Sequence, residues 1–111
     1  MPHKGRPLTK RTVLMLQILG KLIKSARLEG NMSQEDLAQR LNVSRLTIIN
    51  IEKGTPNVSI GSVFEAATIV GVPLISDDIQ QLKQHAKTIS GITAILPKRS
   101  RQKRKELDND F

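Results

Sequence analysis

Residues 32–54 read MSQEDLAQRLNVSRLTIINIEKG, and this stretch decides the fold of the chain. Its serine followed by acidic residues is typical of a helix start, because the hydroxyl accepts a backbone N–H and the acids face the positive end of the helix dipole. We therefore expect a helix over residues 33–41, a turn at 42–43, and a second helix over 44–53 that ends at Gly54. Two short helices joined in this way form a helix-turn-helix.

The inner positions of this unit each have a steric reason. Ala38 lies where the two helices approach most closely, so only a small side chain fits there. Asn42 lies in the turn, where we expect positive φ, which asparagine tolerates best after glycine. The remaining inner positions are aliphatic: Leu37, Leu41, Val43, Ile48 and Ile51. The joint match of small, turn-forming and apolar positions makes the prediction specific.

The positions left over form the outer face of the second helix. We expect base contacts from Ser44, Arg45, Leu46, Ile49 and Asn50. Arg45 can donate two hydrogen bonds to guanine and Asn50 can pair with adenine, while the aliphatic pair can contact a thymine methyl. Exposed aliphatic side chains are a liability on a solvated helix but useful in a major groove. The pattern therefore favours DNA reading over a merely solvated face.

Residues that flank this face are expected to contact the DNA backbone, namely Gln34, Thr47, Lys53, Thr55 and Asn57. Gln34, at the start of the preceding helix, either touches a phosphate or braces the reading helix. Glu52 is less suited to DNA, and we expect it to pair within the protein, with Arg27.

Four stretches then resemble the XRE family of lambda-repressor-like domains. They are LGKLIKSAR (19–27), MSQEDLA (32–38), VSRLTI (43–48) and IEKG (51–54). The resemblance covers about residues 16–75 and implies an all-α, five-helix DNA-binding domain, a homodimer and a palindromic operator. Asn42 departs from the family, which often has glycine there, and the change is sterically tolerable.

The other helices follow from caps and apolar spacing. A first helix over 10–29 is capped by Thr9, and a fourth runs from the Ser59 cap to Gly71. A fifth is expected from the Ser76 cap to Gly91, with a buried stripe of Ile79, Leu82, Ala86 and Ile89. The start of the first helix is more apolar than a small domain needs. Its Val13, Leu14 and Leu16 are expected to meet either a partner or the last helix.

Residues 92–96 are partly β-branched and predict a short strand after the fifth helix. Because a single strand has unpaired edges, we expect it to pair with the same strand of a second chain. The dimer interface would then comprise Ile92, Thr93, Ala94, Ile95 and Leu96. A coil packed on the core is the alternative. The predicted organisation is an arm at 1–9, a DNA-binding domain at 10–90, a dimerisation strand at 91–97 and a tail at 98–111.

Charge and composition narrow the function class. Of 111 residues, 18 are basic and 10 acidic, for a net charge of +8. Residues 12–96 have a net charge of only +1, so the excess lies at the two ends of the chain, where it either grips phosphates or maintains solubility. There is no cysteine, and the two histidines are too few for a metal site. We expect no enzyme activity, no cofactor, no membrane span, and a location in the bacterial cytoplasm, on the nucleoid.

The strand and the basic tail also resemble the architecture of HipB-like antitoxins. That resemblance implies a repressor of its own operon that binds a HipA-like kinase toxin. The terminal Phe111 would either dock into that partner or be an inert chain end. The alternatives are a stand-alone phage- or plasmid-type XRE regulator, or an adaptor whose helix-turn-helix no longer binds DNA.

Overall fold

The computed structural model describes residues 7–95, and this part of the chain forms five helices and no strand. In chain order they are α1 (Lys10–Glu29), α2 (Gln34–Leu41), α3 (Arg45–Lys53), α4 (Ile60–Val70) and α5 (Ile79–Ala94). The chain divides into two compact units between Asp77 and Asp78, so α1–α4 belong to the first and α5 to the second. The all-α prediction is confirmed. None of the described helices has the length and apolarity that crossing a bilayer requires.

Side-chain caps start the helices of the first unit where the sequence predicts. The hydroxyls of Thr9, Ser33, Ser44 and Ser59 each accept a hydrogen bond from the backbone N–H three residues later. Such bonds satisfy donors that have no partner inside the helix. Asn42 ends α2 with φ 58° and ψ 46°, and Gly54 ends α3 at φ 79°. The left-handed turn predicted at Asn42 is therefore confirmed.

The core of the first unit lies where α3 packs against α1 and α2, with α4 closing the other side. Ile23, Leu37 and Ile48 are its largest fully buried side chains. Gly20 lets α1 approach α3 very closely, because a Cβ at that position would lie 2.5 Å from the carbonyl oxygen of Glu52. The glycine thus seats the long first helix directly on the backbone of α3.

The predicted dimerisation strand is wrong for Ile92, Thr93 and Ala94, which continue α5. Ile95 is the C-terminal cap of that helix, and Leu96 lies outside the described residues. Gly91 does not end the helix, since glycine in a helix interior costs only about 1 kcal/mol relative to alanine. A helix satisfies its backbone groups internally, whereas a lone strand leaves two edges open. β-Branched composition was therefore the weaker signal.

Two further details of α5 differ from the prediction. Its cap is Asp78 rather than Ser76, because the Asp78 carboxylate accepts the backbone N–H of Gln80 at 2.9 Å. The stripe expected to be buried is not: none of the residues of α5 is buried, and Ile79 and Ile89 are each 62% exposed. Helical periodicity identifies an apolar face but not what covers it. The basic tail at 98–111 and arm residues 1–6 lie outside the described residues.

Candidate nucleic-acid interface

The joint between α2 and α3 has the tight geometry that the sequence predicts. Ala38 is 2% exposed, and its carbonyl accepts the backbone N–H of Val43 at 3.0 Å, which closes the turn. Leu37 and Ile48 are fully buried on facing sides of the two helices, and Ile51 is 3% exposed. Because these contacts define which side of α3 faces inward, they also define the outer face of that helix.

The outer face of α3 is a mixture of polar and aliphatic side chains. Ser44, Arg45 and Leu46 are exposed, and Leu46 presents 62% of its surface to solvent. Ile49 and Asn50 are half-buried. The structure thus places the five predicted base-contacting residues along one segment of helix. Ile49 is less exposed than the sequence led us to expect, so Leu46 is the main apolar group offered to a partner.

Ser44 and Thr47 are engaged with each other at the start of the reading helix. The Ser44 hydroxyl accepts the backbone N–H of Thr47 at 3.3 Å, and the two side-chain oxygens lie 3.2 Å apart. This arrangement stabilises the first turn of α3, and it holds both hydroxyls at the end of the helix next to the turn.

A chain of hydrogen bonds connects the buried core to the first residue of α3. Arg27 Nε lies 2.6 Å from Glu52 Oε2, and both side chains are almost completely buried. Gln34 Nε2 donates to Glu52 Oε1 at 3.1 Å, and Gln34 Oε1 accepts from Arg45 Nε at 3.3 Å. The predicted Arg27–Glu52 pair is therefore confirmed. Of the two roles expected of Gln34, the structure shows the brace on the reading helix.

This network also determines the charge of the outer face. Glu52 is the single acidic residue of α3, and its carboxylate is held inside the protein by Arg27 and Gln34. Arg45 and Lys53 remain exposed at the two ends of the helix. The solvent side of α3 consequently has a basic residue at each end and no exposed acid, a charge pattern that suits contact with a polyanion.

The remaining predicted backbone contacts lie where α3 ends. Lys53 and Asn57 are exposed and Thr55 is half-buried. The backbone N–H of Thr55 donates to the carbonyl of Asn50 at 3.0 Å, so the chain reverses directly after the helix. Lys53, Thr55 and Asn57 lie at the end of α3 or within four residues of it, whereas Thr47 and, through its bond to Arg45, Gln34 lie at the start of the helix.

Sequence reasoning missed two features of the site. The close approach at Gly20 was not foreseen, although a glycine inside an apolar helical pattern is itself a signal of close packing. The second missed feature is that Arg27 also donates from Nη1 to the carbonyl of Met32 at 2.8 Å. This bond connects the ion pair to the segment before α2. Because every residue has a backbone carbonyl, no residue pattern predicts a bond to this one.

Comparison with known proteins agrees with this geometry. A sequence profile of the helix-turn-helix family matches residues 23–75. The chain is 46% identical over 52 residues to an uncharacterised HTH-type transcriptional regulator of Methanocaldococcus jannaschii, a stretch that covers 47% of this chain and 79% of that protein. The chain therefore belongs to the XRE-type helix-turn-helix family of transcriptional regulators, a family that is typically not enzymatic.

Two other relatives carry similar names. One is an uncharacterised HTH-type transcriptional regulator of Archaeoglobus fulgidus, 43% identical over 47 residues, which cover 42% of this chain and 66% of that protein. The other is named as an HTH-type transcriptional regulatory protein of Sulfolobus acidocaldarius and is 30% identical over 104 residues. That match spans 94% of this chain but 29% of the longer relative. The likeness thus extends to both sides of the helix-turn-helix.

Proposed function

We propose that the chain is a transcriptional repressor that reads operator DNA with the outer face of α3. The observation that supports this most directly is Leu46, which is 62% exposed on a helix whose one acid is buried. An aliphatic side chain between Arg45 and Asn50 suits a major groove, where a thymine methyl lies beside hydrogen-bonding base edges.

Each residue of the face has a separate role in this proposal. Arg45 pairs with guanine and Asn50 with adenine, while Leu46 and the half-buried Ile49 contact methyl groups. Ser44 and Thr47 approach the DNA at the start of the helix, Ser44 toward a base edge and Thr47 toward a phosphate. Lys53, Thr55 and Asn57 contact phosphates at its end, which positions the helix without selecting sequence.

The hydrogen bond from Arg45 to Gln34 gives the proposed guanine contact a defined starting geometry. Only Nε of the guanidinium takes part in that bond. A side chain held in place loses less conformational entropy when it binds than a freely rotating one. Gln34 therefore acts as a positioning residue for Arg45.

The test is a comparison of operator and scrambled DNA. Arg45→Ala and Asn50→Ala should each lower discrimination at one base pair by about 1–3 kcal/mol, which is roughly five- to 150-fold. Lys53→Ala is the matched control, because losing a phosphate contact weakens binding to both DNAs alike. Equal weakening of both DNAs by Arg45→Ala would contradict the assignment.

Gln34→Ala separates the brace from a direct phosphate contact. If Gln34 positions Arg45, the variant should lose discrimination at the base pair that Arg45 reads and keep most of its affinity for scrambled DNA. If Gln34 binds a phosphate instead, affinity should fall equally on every sequence.

Repression from a palindromic operator requires two reading helices, so the proposal includes a homodimer. Two half-sites would lie about 34–36 Å apart, one turn of B-DNA. The strand once expected to join the two copies is helical over 92–94, and a different surface must perform that role. Footprinting of the bound operator should show two protected half-sites with that spacing.

An antitoxin role with a HipA-like kinase is a further hypothesis. It was based on the strand, which is not present at 92–94, and on the basic tail at 98–111, which lies outside the described residues. A stand-alone XRE regulator now needs fewer assumptions. Co-expression with the neighbouring gene distinguishes the two, since an antitoxin should co-purify with a kinase and inhibit it.

A further inference from the structure

The first helix is apolar on two nearly opposite sides. Gly20, Ile23 and Arg27 are buried against the rest of the first unit. Met15, Ile18 and Leu22 lie on the other side and are each at least half exposed, at 54%, 50% and 51%. At about 100° per residue the two sides are on the order of 150° apart. Because the buried side is seated on α3 through Gly20, the second side has no role in this core.

The exposed side has the spacing of a helix-pairing seam. Positions 11, 15, 18, 22, 25 and 29 alternate in steps of four and three, the pattern with which two helices pack side by side. They are occupied by Arg11, Met15, Ile18, Leu22, Ser25 and Glu29. Leu14 and Leu28, 57% and 55% exposed, flank the seam on one side. We name this surface, including the two flanking leucines, the α1 seam.

We propose that the α1 seam binds the α1 seam of a second copy in antiparallel orientation. In that register the central isoleucine, Ile18, meets Leu22 of the other copy, and Met15 meets the small Ser25. Arg11 meets Glu29 at both ends of the pair, and Leu14 lies opposite Leu28. The seam is complementary to itself under a two-fold axis, as a homodimer interface must be.

Charge disfavours the parallel arrangement and supports a second copy as the occupant. Parallel pairing would place Arg11 against Arg11 and Glu29 against Glu29. Within its own helix, the basic Arg11 lies in the first turn, which contains no acid, and the acidic Glu29 is the last residue. Both charges therefore oppose the dipole of α1. An antiparallel copy brings a carboxylate to the N-terminus and a guanidinium to the C-terminus, which removes both conflicts.

This interface supplies the contact that the proposed homodimer requires, so the inference deepens the proposed function. It is tested without DNA, by sedimentation equilibrium of the full chain. Ile18→Lys and Leu22→Lys should each weaken self-association by at least ~100-fold, because every dimer would bury two unpaired charges. Circular dichroism should show an unchanged fold, since neither side chain belongs to the core. Ile60→Lys, at a position that is 75% exposed on α4, is the matched control and should leave the dimer intact.

Reversal of the end charges tests the register. Arg11→Glu or Glu29→Arg alone should weaken the dimer on the order of ten-fold, because two attractions become two repulsions. The double variant restores both pairs and should return to nearly wild-type affinity. Additive weakening in the double variant would overturn the antiparallel register.

Cysteine cross-linking tests the orientation directly, because the natural chain has no cysteine. Lys21 lies beside the two-fold axis, so Lys21→Cys should form a disulfide-linked dimer on mild oxidation. Leu14→Cys alone should not, since the two copies of position 14 would be on the order of 20 Å apart along the helices, beyond the reach of a disulfide. A mixture of Leu14→Cys and Leu28→Cys chains should cross-link with each other.

Each outcome decides the inference. Three outcomes would overturn it: a monomeric chain at micromolar concentration, a dimer that survives Ile18→Lys, or self-linking of Leu14→Cys. A dimer that survives Ile18→Lys would assign the interface to another surface, such as α5. Failure of the proposed function is distinguishable. In that case the dimer forms through α1 while Arg45→Ala has no effect on discrimination between DNA sequences.

Discussion

The first unit and α5 are both helical, but different forces maintain them. Helices α1 to α4 bury Ile23, Leu37 and Ile48 completely and share an ion pair in their interior. Helix α5 has 16 residues and buries none of them. Its cap, its backbone hydrogen bonds and the propensities of its residues therefore account for more of its helical state than they do in the first unit. Since isolated helices of this length are marginal in water, the two regions should respond very differently to substitution.

The difference also shows how an apolar surface should be interpreted. Leu46 on α3 is one aliphatic group among polar neighbours, as a groove with mixed chemistry requires. The α1 seam has an apolar centre of Met15, Ile18 and Leu22, the small Ser25 beside it and charges only at its ends, as a helical partner requires. Exposure alone does not distinguish these surfaces, whereas the chemistry of their neighbours does.

The largest expected effect comes from breaking the buried pair that joins α1 to α3. Arg27→Ala leaves the Glu52 carboxylate buried without its cation, which should destabilise the first unit by about 3–5 kcal/mol. Urea unfolding followed by circular dichroism measures the loss. The double variant Arg27→Met, Glu52→Leu is the control, and it should be much more stable than the single variant because no buried charge remains. Equal losses would show that the unpaired Glu52 carboxylate is not what destabilises the single variant.

A smaller effect is expected where α1 and α3 touch. A methyl group at position 20 would lie 2.5 Å from the carbonyl oxygen of Glu52 and 2.6 Å from that of Ile51. The two helices would have to separate, and Gly20→Ala should destabilise the first unit by about 1–3 kcal/mol. The midpoint of urea unfolding should fall without a change in slope. An unchanged midpoint would mean that α1 is not seated on α3 at this position.

The sequence predicted the helix-turn-helix in detail because its determinants are local. Ser33 and Ser44 cap helices through bonds to residues three positions away, and Asn42 adopts a conformation that depends mainly on its own backbone. The alternation of buried and exposed positions in α3 also follows from helical geometry. The outer face could therefore be predicted as the positions of α3 that remain once the buried ones are removed, although Ile49 proved half-buried.

The errors arose where the outcome depends on distant or competing terms. In α5, a glycine and β-branched residues suggested a break and a strand, while the backbone gained more by continuing the helix to Ala94. Asp78 caps α5 where Ser76 was predicted, and serine and aspartate are both favoured at helix starts, so residue type alone does not rank them. The Arg27–Glu52 pair was predicted from the sequence, but the contact from Gln34 to Glu52, 18 residues apart, was not.

Replacing a glycine by alanine should have the opposite effect in α5, where it should stabilise the helix. A Cβ at Gly91 meets nothing within 4 Å, and alanine favours a helix interior over glycine by up to about 1 kcal/mol. Gly91→Ala should therefore increase the helix content and slow amide exchange over residues 79–94, while unfolding of the first unit stays unchanged. Ala86→Gly, at an exposed position of the same helix, is the matched control and should have the reverse effect. If Gly91→Ala lowers the helix content, residues 92–94 do not continue α5 in solution.

The smallest effect concerns the cap of α2 and depends on pH. The Ser33 backbone N–H donates to the Asp36 carboxylate at 3.1 Å, and this bond, with help from the Ser33 hydroxyl and Arg40, lowers the pKa of Asp36 below its usual 3.8. A lowered pKa in the folded state stabilises the fold above the unfolded pKa, and this contribution disappears as pH falls through the folded value. Asp36→Asn should therefore be less stable than the natural chain at neutral pH, and the gap should close below pH 3.8.

Glu35→Gln removes the same charge from the same turn without touching the Ser33 cap, so urea unfolding from pH 6 to strong acid should separate the two variants. Identical pH curves would show that net charge, rather than the capping bond, determines the acid stability of the first unit.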